Sequence, residues 1–386
     1  MNIYYFAGTK LPSQSSQSIH SMKMAEAFAR AGHNVTLFAK GMHDAASEDI
    51  FKIYNIQQNF KLYLSPQIDV PILSGAKRLM NISRKIANMD KPDIVYGHDP
   101  VALSLLAPSG VPVIFEAFKM PDLSLHSWAF QRLLRQSNFR AIIVVSEILK
   151  HELLNKYPQI KSEDIFVAHN GTDLIDDIVR ADQESQKLQG RTDAFKVGYA
   201  GSLKPGKGIS LIPRIAALCP ECDFHIFGGT QDNIEELQQQ NGLDNVYYYG
   251  YRDHADMPGY IKAFDVAIAP YQHRALIRTG QNMSRWISPT KVFEYMAAKK
   301  PILCSNLPGI DEILQHEYSA FLLPATDEEK WAAAIRKLKD DAYERDRLGR
   351  NAYNTLRKYY TRDMRVQAIS EFCFDQENTA SLSKAS

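Results

Sequence analysis

An alternation of strand and helix patterns that runs along the chain twice most restricts how it can fold. Short apolar segments typical of buried strands alternate with amphipathic segments such as SIHSMKMAEAFARAGH, residues 18–33. The first run contains NIYYFAG, NVTLFAK, PDIVYGHD, PVIFEA, AIIVVS and DIFVAHNG, and the second contains FKVGYAGS, CDFHIFGG, NVYYYGYR, DVAIAPY, PILCSN and AFLLP. Because helices that connect parallel strands pack on the sheet, this pattern predicts parallel sheets with helices on both faces.

A polar break separates the two runs. Residues 174–194, LIDDIVRADQESQKLQGRTDA, are rich in charge and lack periodicity, which is typical of a linker. A length of 386 residues is sufficient for two cores. We therefore predict an α/β protein with two doubly wound, Rossmann-like domains that face a central cleft. The predicted segments are an N-terminal domain at 1–175, a linker at 176–194, a C-terminal domain at 195–360, and at 361–386 a helix that returns to the first domain, followed by a frayed tail.

Composition indicates an ordinary globular protein and gives no sign of a nucleic-acid-binding, membrane-spanning or disulfide-rich one. Hydrophobic residues make up 45% of the chain and charged residues 23%, as in ordinary globular proteins. The formal net charge of +1 gives no indication of nucleic-acid binding. The N-terminal MNIYYFAGTK is typical of a strand rather than a signal peptide, and no apolar run approaches the ~20 residues that cross a bilayer. Four cysteines, with one isolated CxxC at Cys219 and Cys222, predict neither a disulfide framework nor a metal site and fit a cytoplasmic location.

The second run opens with a glycine-containing turn, YAGSLKPGKGIS, in which Lys207 precedes a helix predicted to begin near Gly208. Exposed N–H groups at a helix N-terminus favour an anion, and a neighbouring lysine adds a positive charge. The turn matches neither GxxxxGK[ST] nor GxGxxG, so it is not a standard triphosphate or nicotinamide site. A surface turn with incidental lysines remains the alternative.

A second helix start lies about 80 residues further along, in SPTKVFEYMAAKKPILCSNLPG. Ser288 is predicted to be the N-cap, with Pro289 in the first turn. Val292 and Met296 belong to an apolar face that Glu294 need not share, so Glu294 is a candidate acceptor for paired hydroxyls. A solvated helix carboxylate is the alternative. Both helix starts can face one edge of a doubly wound sheet, which predicts a diphosphate at the first and a ribose at Glu294.

These segments together resemble the family-4 retaining glycosyltransferases of the GT-B fold, which transfer sugars from nucleotide-sugar donors. The resemblance covers nearly the whole chain, and its most specific motif is SPTKVFEYMAAKKPILCSNLPG. It implies retaining transfer of a hexose from a UDP- or GDP-sugar to a glycan, lipid-linked or small-molecule acceptor, in cell-envelope polysaccharide or glycolipid synthesis. It also implies that no metal or other cofactor is required.

The resemblance implies roles for matching residues of the second domain. Glu294 matches the second acid of the family's E-x7-E motif, which binds the ribose hydroxyls, and Lys207 matches the basic residue that binds the diphosphate. Backbone N–H groups of the helix start face phosphate, and the segment after the third strand recognises the base. The implied donor-binding residues are Gly201, Ser202, Lys207, Tyr251, Arg252, Ser288, Thr290, Lys291 and Glu294.

Two histidines of the first domain complete the predicted catalytic set of His20, His98, Lys207 and Glu294. His20 aligns with a family residue that faces the donor. His98 directly follows a strand and is therefore predicted to point into the cleft. For His98, a loop histidine that caps a turn is the alternative. Glu116, at the end of the next strand, is a weaker candidate for the cleft.

The sequence departs from the family pattern at four places, which leaves two other functions open. Trp286 replaces the first motif acid, Ser202 the usual Arg, Ser15 and Ser16 the glycines of the first loop, and Phe118 the usual His. These losses make a nucleotide-sugar-binding protein without turnover conceivable. A GT-B sugar epimerase would share the fold but would require acidic residues for proton removal, which we do not identify.

Residues 75–90, GAKRLMNISRKIANMD, predict a basic amphipathic helix. Its apolar face contains Leu79, Ile82, Ile86 and Met89, and its basic residues are Lys77, Arg78, Arg84 and Lys85. Such a helix can lie on anionic lipid, whereas packing on its own domain is the alternative. Peripheral contact with the inner face of the cell membrane is therefore kept as a hypothesis.

Overall fold

The computed structural model describes residues 1–41, 47–66, 71–121, 124–175, 188–275 and 280–374. The chain divides into two compact units, one formed by Met1–His169 together with the chain from Arg362 onward, and the other by Asn170–Thr361. Most of the predicted linker and the predicted frayed tail lie outside the described residues. Among those described, no helix combines the length and the apolar character needed to cross a bilayer.

The first unit is a seven-stranded parallel sheet with the order β3-β2-β1-β4-β5-β6-β7. Its strands are β1 Asn2–Leu11, β2 Asn34–Gly41, β3 Lys61–Pro66, β4 Ile94–Gly97, β5 Val113–Ala117, β6 Phe139–Val144 and β7 Ile165–Val167. Its helices are α1 Ser16–Arg30, α2 Ser47–Ile53, α3 Pro71–Ile86, α4 Pro100–Leu106, α5 Ser124–Leu134, α6 Glu147–Lys156 and the last described helix, α14 Arg362–Phe374.

The second unit is a six-stranded parallel sheet with the order β10-β9-β8-β11-β12-β13. Its strands are β8 Phe195–Ala200, β9 Cys222–Phe227, β10 Val246–Gly250, β11 Val266–Ala269, β12 Ile302–Ser305 and β13 Phe321–Leu323. Its helices are α7 Leu211–Leu218, α8 Gln231–Asn241, α9 Met257–Lys262, α10 Thr290–Ala297, α11 Pro308–Asp311, α12 Glu328–Asp340 and α13 Ala342–Tyr359. Each sheet therefore has the strand order of a doubly wound domain, as predicted.

The strand β3 is the element that the pattern of apolar runs missed. Its sequence KLYLSP alternates polar and apolar residues, and it forms the edge of the sheet beside β2. An edge strand keeps one side accessible to water, so it lacks the continuous apolar run that identifies a strand buried on both faces.

The last helix, α14, packs on α1 within the first unit, as the helical C-terminal pattern predicted. Val366 and Ile369 are fully buried in the same core as Met24 and Phe28 of α1. The helix therefore supplies part of the hydrophobic core that covers one face of the first sheet.

The helix predicted at residues 75–90 forms as α3, and the centre of its apolar face is buried. Ile82 has no exposed surface. Arg78 pairs with Asp99 at 2.7 Å, so one of the predicted basic residues is engaged within the unit. Ile82 therefore packs within the unit, whereas Leu79 and Ile86 are only partly buried, and the membrane hypothesis stays a prediction.

Candidate active site

The candidate site of the second unit lies where the strand order reverses, between β8 and β11. In doubly wound sheets, ligands bind outside the carboxyl ends of the strands at this point. The loop after β8, the segment after β11 and the start of α10 all follow carboxyl ends of strands in this sheet. Their side chains therefore determine what the site can bind.

The loop after β8 is fixed against the segment after β11. Gln272 N donates to Gly206 O at 3.0 Å. Gly208 has φ +77°, and a Cβ atom there would overlap the carbonyl oxygen of Pro270. Helix α7 begins at Leu211, so the prediction of a start near Gly208 is wrong, because a left-handed residue cannot form the first helical turn.

Ser288 does not cap α10. Its Oγ accepts from Asn170 N at 2.9 Å, and Asn170 Nδ2 donates to Ser288 O at 2.7 Å. The helix begins at Thr290 with Pro289 as N-cap residue, so both predicted positions at this helix start are wrong. The hydroxyl and the carbonyl group of Ser288 are therefore both hydrogen-bonded to Asn170.

Two lysines converge on one aromatic ring at the reversal point. The ammonium Nζ atoms of Lys207 and Lys291 lie 5.0 and 5.2 Å from the centroid of Tyr271. Lys291 Nζ also lies 3.6 Å from the centroid of Tyr199. Such distances are typical of cation–π contacts. The loop after β8 and the first turn of α10 thus bring two cations to the same place.

Lys291 is the more unusual of the two cations. Its side chain is buried, and its ammonium makes no hydrogen bond to any residue that the structure describes. Burial and the nearby charge of Lys207 hold the pKa of Lys291 well below its usual value, with Glu294 acting in the opposite direction. Burial and Lys204 likewise lower the pKa of Lys207. The site therefore concentrates positive charge that an anion would stabilise.

Glu294 lies one helical turn after Lys291, on the same side of α10. Its side chain is 23% exposed, and Oε1 lies 3.8 Å from Nδ1 of His254. His254 belongs to the loop after β10, which also contains the exposed Tyr251 and Arg252. The structure thus brings Lys207, Lys291 and Glu294 together, next to the segment predicted to recognise the base.

Two of the residues that depart from the family pattern lie in this unit. Trp286, in the place of the first motif acid, is 4% exposed and cannot extend a side chain to solvent. Ser202 is exposed, and its carbonyl oxygen accepts from Tyr199 Oη at 2.8 Å. This hydrogen bond holds the loop beside the ring of Tyr199, which lies against the Lys291 ammonium.

His20 lies in a buried polar cluster of the first unit. Its Nε2 is 3.0 Å from Oε1 of Glu116, which also accepts from Nη2 of Arg365 at 2.7 Å. Burial lowers the pKa of His20, although Glu116 opposes this, so the ring is neutral at neutral pH. Because an ionised carboxylate only accepts hydrogen bonds, Nε2 carries the proton and Nδ1 is left as an acceptor.

His98 follows β4 and packs against Phe118. The ring centroids are 5.4 Å apart, and Phe118 also contacts His20 at 4.8 Å. Burial lowers the pKa of His98 to about 4, and neither ring nitrogen is hydrogen-bonded to a described residue. The alternative of a turn-capping histidine is wrong, because Asp99 caps α4 by accepting from the N–H groups of the following residues.

The CxxC motif is buried at the end of α7 and the start of β9. Cys219 and Cys222 have no exposed surface. Over the described parts of the chain, no three His, Cys, Asp or Glu side chains are grouped as they would be to hold a metal ion. The motif is part of the core in this unit.

Sequence reasoning missed three side chains of these clusters. For Lys291 the family resemblance implies a role for the backbone N–H alone, although its i, i+3 spacing to Glu294 is a signal for the side chain. His254 follows a predicted strand end in the same way as His98. Arg365 could not be found, because 249 residues separate it from Glu116.

Two family models match the chain in succession. The model described as Glycosyltransferase Family 4 matches residues 17–175, and that described as Glycosyl transferases group 1 matches residues 181–355. The chain belongs to the family-4 glycosyltransferases. This agrees with the cations and carboxylate at the reversal point of the second sheet.

Individual family-4 relatives are distant. The putative teichuronic acid biosynthesis glycosyltransferase TuaH of Bacillus subtilis is 26% identical over 44% of this chain and 42% of TuaH. The lipopolysaccharide core biosynthesis glycosyltransferase LpsD of Rhizobium meliloti is 28% identical over 48% of this chain and 49% of LpsD. The match thus spans less than half the length of either curated relative.

A solved structure shows the fold over nearly the whole chain. Anabaena HepE in complex with UDP-glucose superimposes with a TM-score of 0.70 at 18% identity, covering 96% of this chain and 98% of HepE. A sucrose-phosphate synthase from Thermosynechococcus elongatus gives a TM-score of 0.73 at 15% identity, with both chains fully covered. The fold is therefore GT-B, with one Rossmann-like sheet in each unit.

Proposed function

We propose that the chain is a retaining glycosyltransferase. It would transfer a hexose from a nucleoside-diphosphate sugar to a glycan, lipid-linked or small-molecule acceptor, in polysaccharide or glycolipid synthesis. This proposal rests on one observation: the ammonium groups of Lys207 and Lys291 both contact the ring of Tyr271, and Glu294 lies one turn further along α10. The UDP-glucose bound by HepE supports a nucleotide-sugar donor.

The charges of the site suit the two ends of such a donor. A diphosphate is a dense anion, and its charge would favour the protonated forms of both lysines, whose pKa values burial lowers. A carboxylate accepts two hydrogen bonds from the paired ribose hydroxyls. In this proposal the diphosphate binds at Lys207 and Lys291, and the ribose binds at Glu294.

The lysines would act most strongly when the sugar leaves. As the bond between the anomeric carbon and the phosphate oxygen breaks, the nucleoside diphosphate gains negative charge that fixed cations stabilise. The acceptor oxygen then bonds to the anomeric carbon from the same side, which retains its configuration. The acceptor proton passes to the departing phosphate oxygen, so the step requires neither a side-chain base nor a metal.

His20 and His98 are proposed to contact the substrates from the first unit. Both rings are neutral at neutral pH, since burial lowers the pKa of each. A neutral imidazole offers one donor and one acceptor, which suits sugar hydroxyls better than phosphate. Variants of these histidines are expected to affect turnover more than nucleotide binding.

Nucleotide binding by the full chain tests the donor site. We expect UDP, GDP or ADP to raise the melting temperature, and Glu294→Ala and Lys207→Met to reduce that shift. Losing a hydrogen bond to a charged group weakens binding by roughly tenfold or more. Lys339→Met, at an exposed lysine of α12, is the matched control. A chain that responds to none of the three nucleotides contradicts the proposal.

Turnover separates the proposed function from its rivals. Incubation with a panel of nucleotide sugars and acceptors should release nucleotide and form a glycoside whose anomeric configuration, determined by NMR, matches that of the donor. An inverted product contradicts retention. Interconverted donor sugars indicate an epimerase, and binding without turnover indicates a nucleotide-sugar-binding protein.

A further inference from the structure

Two neighbouring strands of the first sheet carry polar side chains on one face, close to their carboxyl ends. Lys40 of β2 and Ser65 of β3 are register partners. Because side chains alternate between the two faces of a sheet, such partners lie on the same face. Phe38 and Tyr63, two residues earlier on these strands, share that face, since their ring centroids are 5.6 Å apart. Lys40 and Ser65 therefore lie side by side at the carboxyl edge of the sheet.

The polar groups of both side chains lack partners within the described part of the chain. Ser65 is fully buried, and its Oγ makes no hydrogen bond there. Lys40 is half-buried, and neither a hydrogen bond nor an ion pair joins its ammonium to a described residue. Burial and the charge of Arg78 lower the pKa of Lys40, whereas Asp99 opposes this. Because a buried polar group without a partner costs stability, both groups would gain from a ligand.

The charges around Lys40 leave one cation in excess. Arg78 of α3 is 11% exposed, and its Nη2 donates to Oδ2 of Asp99 at 2.7 Å. The other oxygen of Asp99 accepts from two N–H groups at the start of α4. Asp99 thus balances Arg78 rather than Lys40. Lys10, the exposed register partner of Lys40 on β1, adds a further positive charge.

This cationic cluster, defined as Lys40, Ser65 and Arg78, lies near His98. Burial is the largest cause of the lowered pKa of His98, and the charge of Lys40 also lowers it, which indicates that the two groups are near each other. The Glu116 carboxylate is paired with Arg365 and is therefore not free to balance Lys40. The edge of this sheet thus offers a neutral imidazole to a hydroxyl group and, near it, positive charge to an anion.

On the basis of the proposed function, we propose that the acceptor carries a phosphate group, which binds to the cationic cluster while an acceptor hydroxyl contacts His98. A phosphate has three terminal oxygens that accept hydrogen bonds. The cluster supplies matching donors, namely the ammonium, the Ser65 hydroxyl and the N–H groups of Arg78 that do not bind Asp99. Hydrogen bonds between charged groups are stronger than those between neutral ones. The acceptor is thus a sugar phosphate or a lipid phosphate rather than an uncharged glycan.

Titration with inorganic phosphate tests this cluster separately from the donor site. The full chain is first saturated with the nucleotide that stabilises it most, so that the diphosphate site is filled. Phosphate is then added, and we expect a further rise in the melting temperature. Sodium chloride at the same ionic strength should give no such rise. Competition by glucose 6-phosphate and by a short-chain phosphatidic acid then distinguishes a soluble acceptor from a lipid one.

Variants locate the bound phosphate. Lys40→Met should weaken phosphate binding roughly tenfold or more, because a charged hydrogen bond is lost, and Ser65→Ala by about fivefold. Neither substitution removes a hydrogen bond between described residues, so both variants should fold and should keep the response to nucleotide. Lys61→Met, at an exposed lysine at the opposite end of β3, is the matched control and should bind phosphate as the parent does.

Turnover connects the phosphate with the acceptor. In transfer assays, phosphorylated sugars should be glycosylated in preference to the same sugars without phosphate. Lys40→Met should raise the KM of the phosphorylated acceptor and leave the KM of the donor unchanged. A residue with only a structural role would not separate the two constants in this way.

Three results would overturn the proposal. The first is a nucleotide-saturated chain that does not respond to phosphate. The second is a loss of the nucleotide response in Lys40→Met, which assigns this lysine to the donor site. The third is a preference for acceptors without phosphate. A chain that binds phosphate through Lys40 but responds to no nucleotide contradicts the proposed function instead, so the two failures are distinguishable.

Discussion

Replacing Arg365 with methionine should destabilise the first unit strongly, because it leaves a carboxylate buried without its cation. Arg365 Nη2 lies 2.7 Å from Oε1 of Glu116, and the two side chains are 3% and 0% exposed. Burial alone would raise the pKa of Glu116, but its contacts with His20 and Arg365 hold it below its usual value. Breaking a buried ion pair by removing one partner costs about 3–5 kcal/mol. We expect a loss of that size in the free energy of unfolding.

An exposed ion pair on the same helix supplies the control. Asp363 of α14 pairs with Arg30 of α1 at 2.8 Å, and the Asp363 side chain is 63% exposed. Such surface pairs contribute about 0–1 kcal/mol, so Asp363→Asn should have a small effect. The double variant Glu116→Gln with Arg365→Met removes both buried charges. It should be more stable than Arg365→Met alone.

Hydrogen exchange resolved by peptide is the appropriate assay. With two units in one chain, global unfolding need not be a two-state transition, whereas amide exchange reports the opening free energy of each segment. Peptides from β5 and α14 should exchange faster in Arg365→Met and near the parent rate in Asp363→Asn. The reasoning is refuted if the two variants open equally, or if the double variant is the least stable.

The remaining predictions concern the second unit. Lys291→Met should weaken nucleotide binding yet stabilise the nucleotide-free chain, because it removes a buried ammonium. Because the pKa of Lys291 is lowered in the folded parent, the unfolded chain binds more protons than the folded chain. The free energy of unfolding of the parent should therefore rise as the pH rises towards 10.5. Urea titrations at several pH values should show a smaller rise for the variant. Gly208→Ala should lose nucleotide-induced stabilisation, because a Cβ atom there would overlap the carbonyl oxygen of Pro270. Gly242→Ala should retain it in thermal-shift assays, because Gly242 also has a positive φ, +44°, but a Cβ atom there meets nothing within 4 Å.

The sheets were predictable because their strands are buried on both faces and therefore leave continuous apolar runs. The edge strand β3 left no such run and was missed. The order of the strands, and hence the position of the reversal point, follows from general rules for parallel sheets. Helix starts were less predictable, since Ser288 bonds to Asn170, which lies 118 residues away along the chain, instead of to its own helix.

The candidate site was predictable only as far as local motifs extend. Lys207 and Glu294 stand out because each lies in a motif at a strand end. The burial of Lys291 between two tyrosines depends on residues from three different elements, so no short pattern encodes it. The same holds for the Arg365–Glu116 pair, which joins segments that are far apart in sequence.

The position of α14 has a consequence for how the protein is made. The ribosome completes the whole of the second unit before it reaches this helix, although Val366 and Ile369 belong to the core of the first. During synthesis, the nascent first sheet must therefore remain incomplete on one face, with the Glu116 carboxylate still lacking Arg365. Emergence of α14 from the ribosome, rather than emergence of the N-terminal half, should be the moment at which this half acquires resistance to proteases.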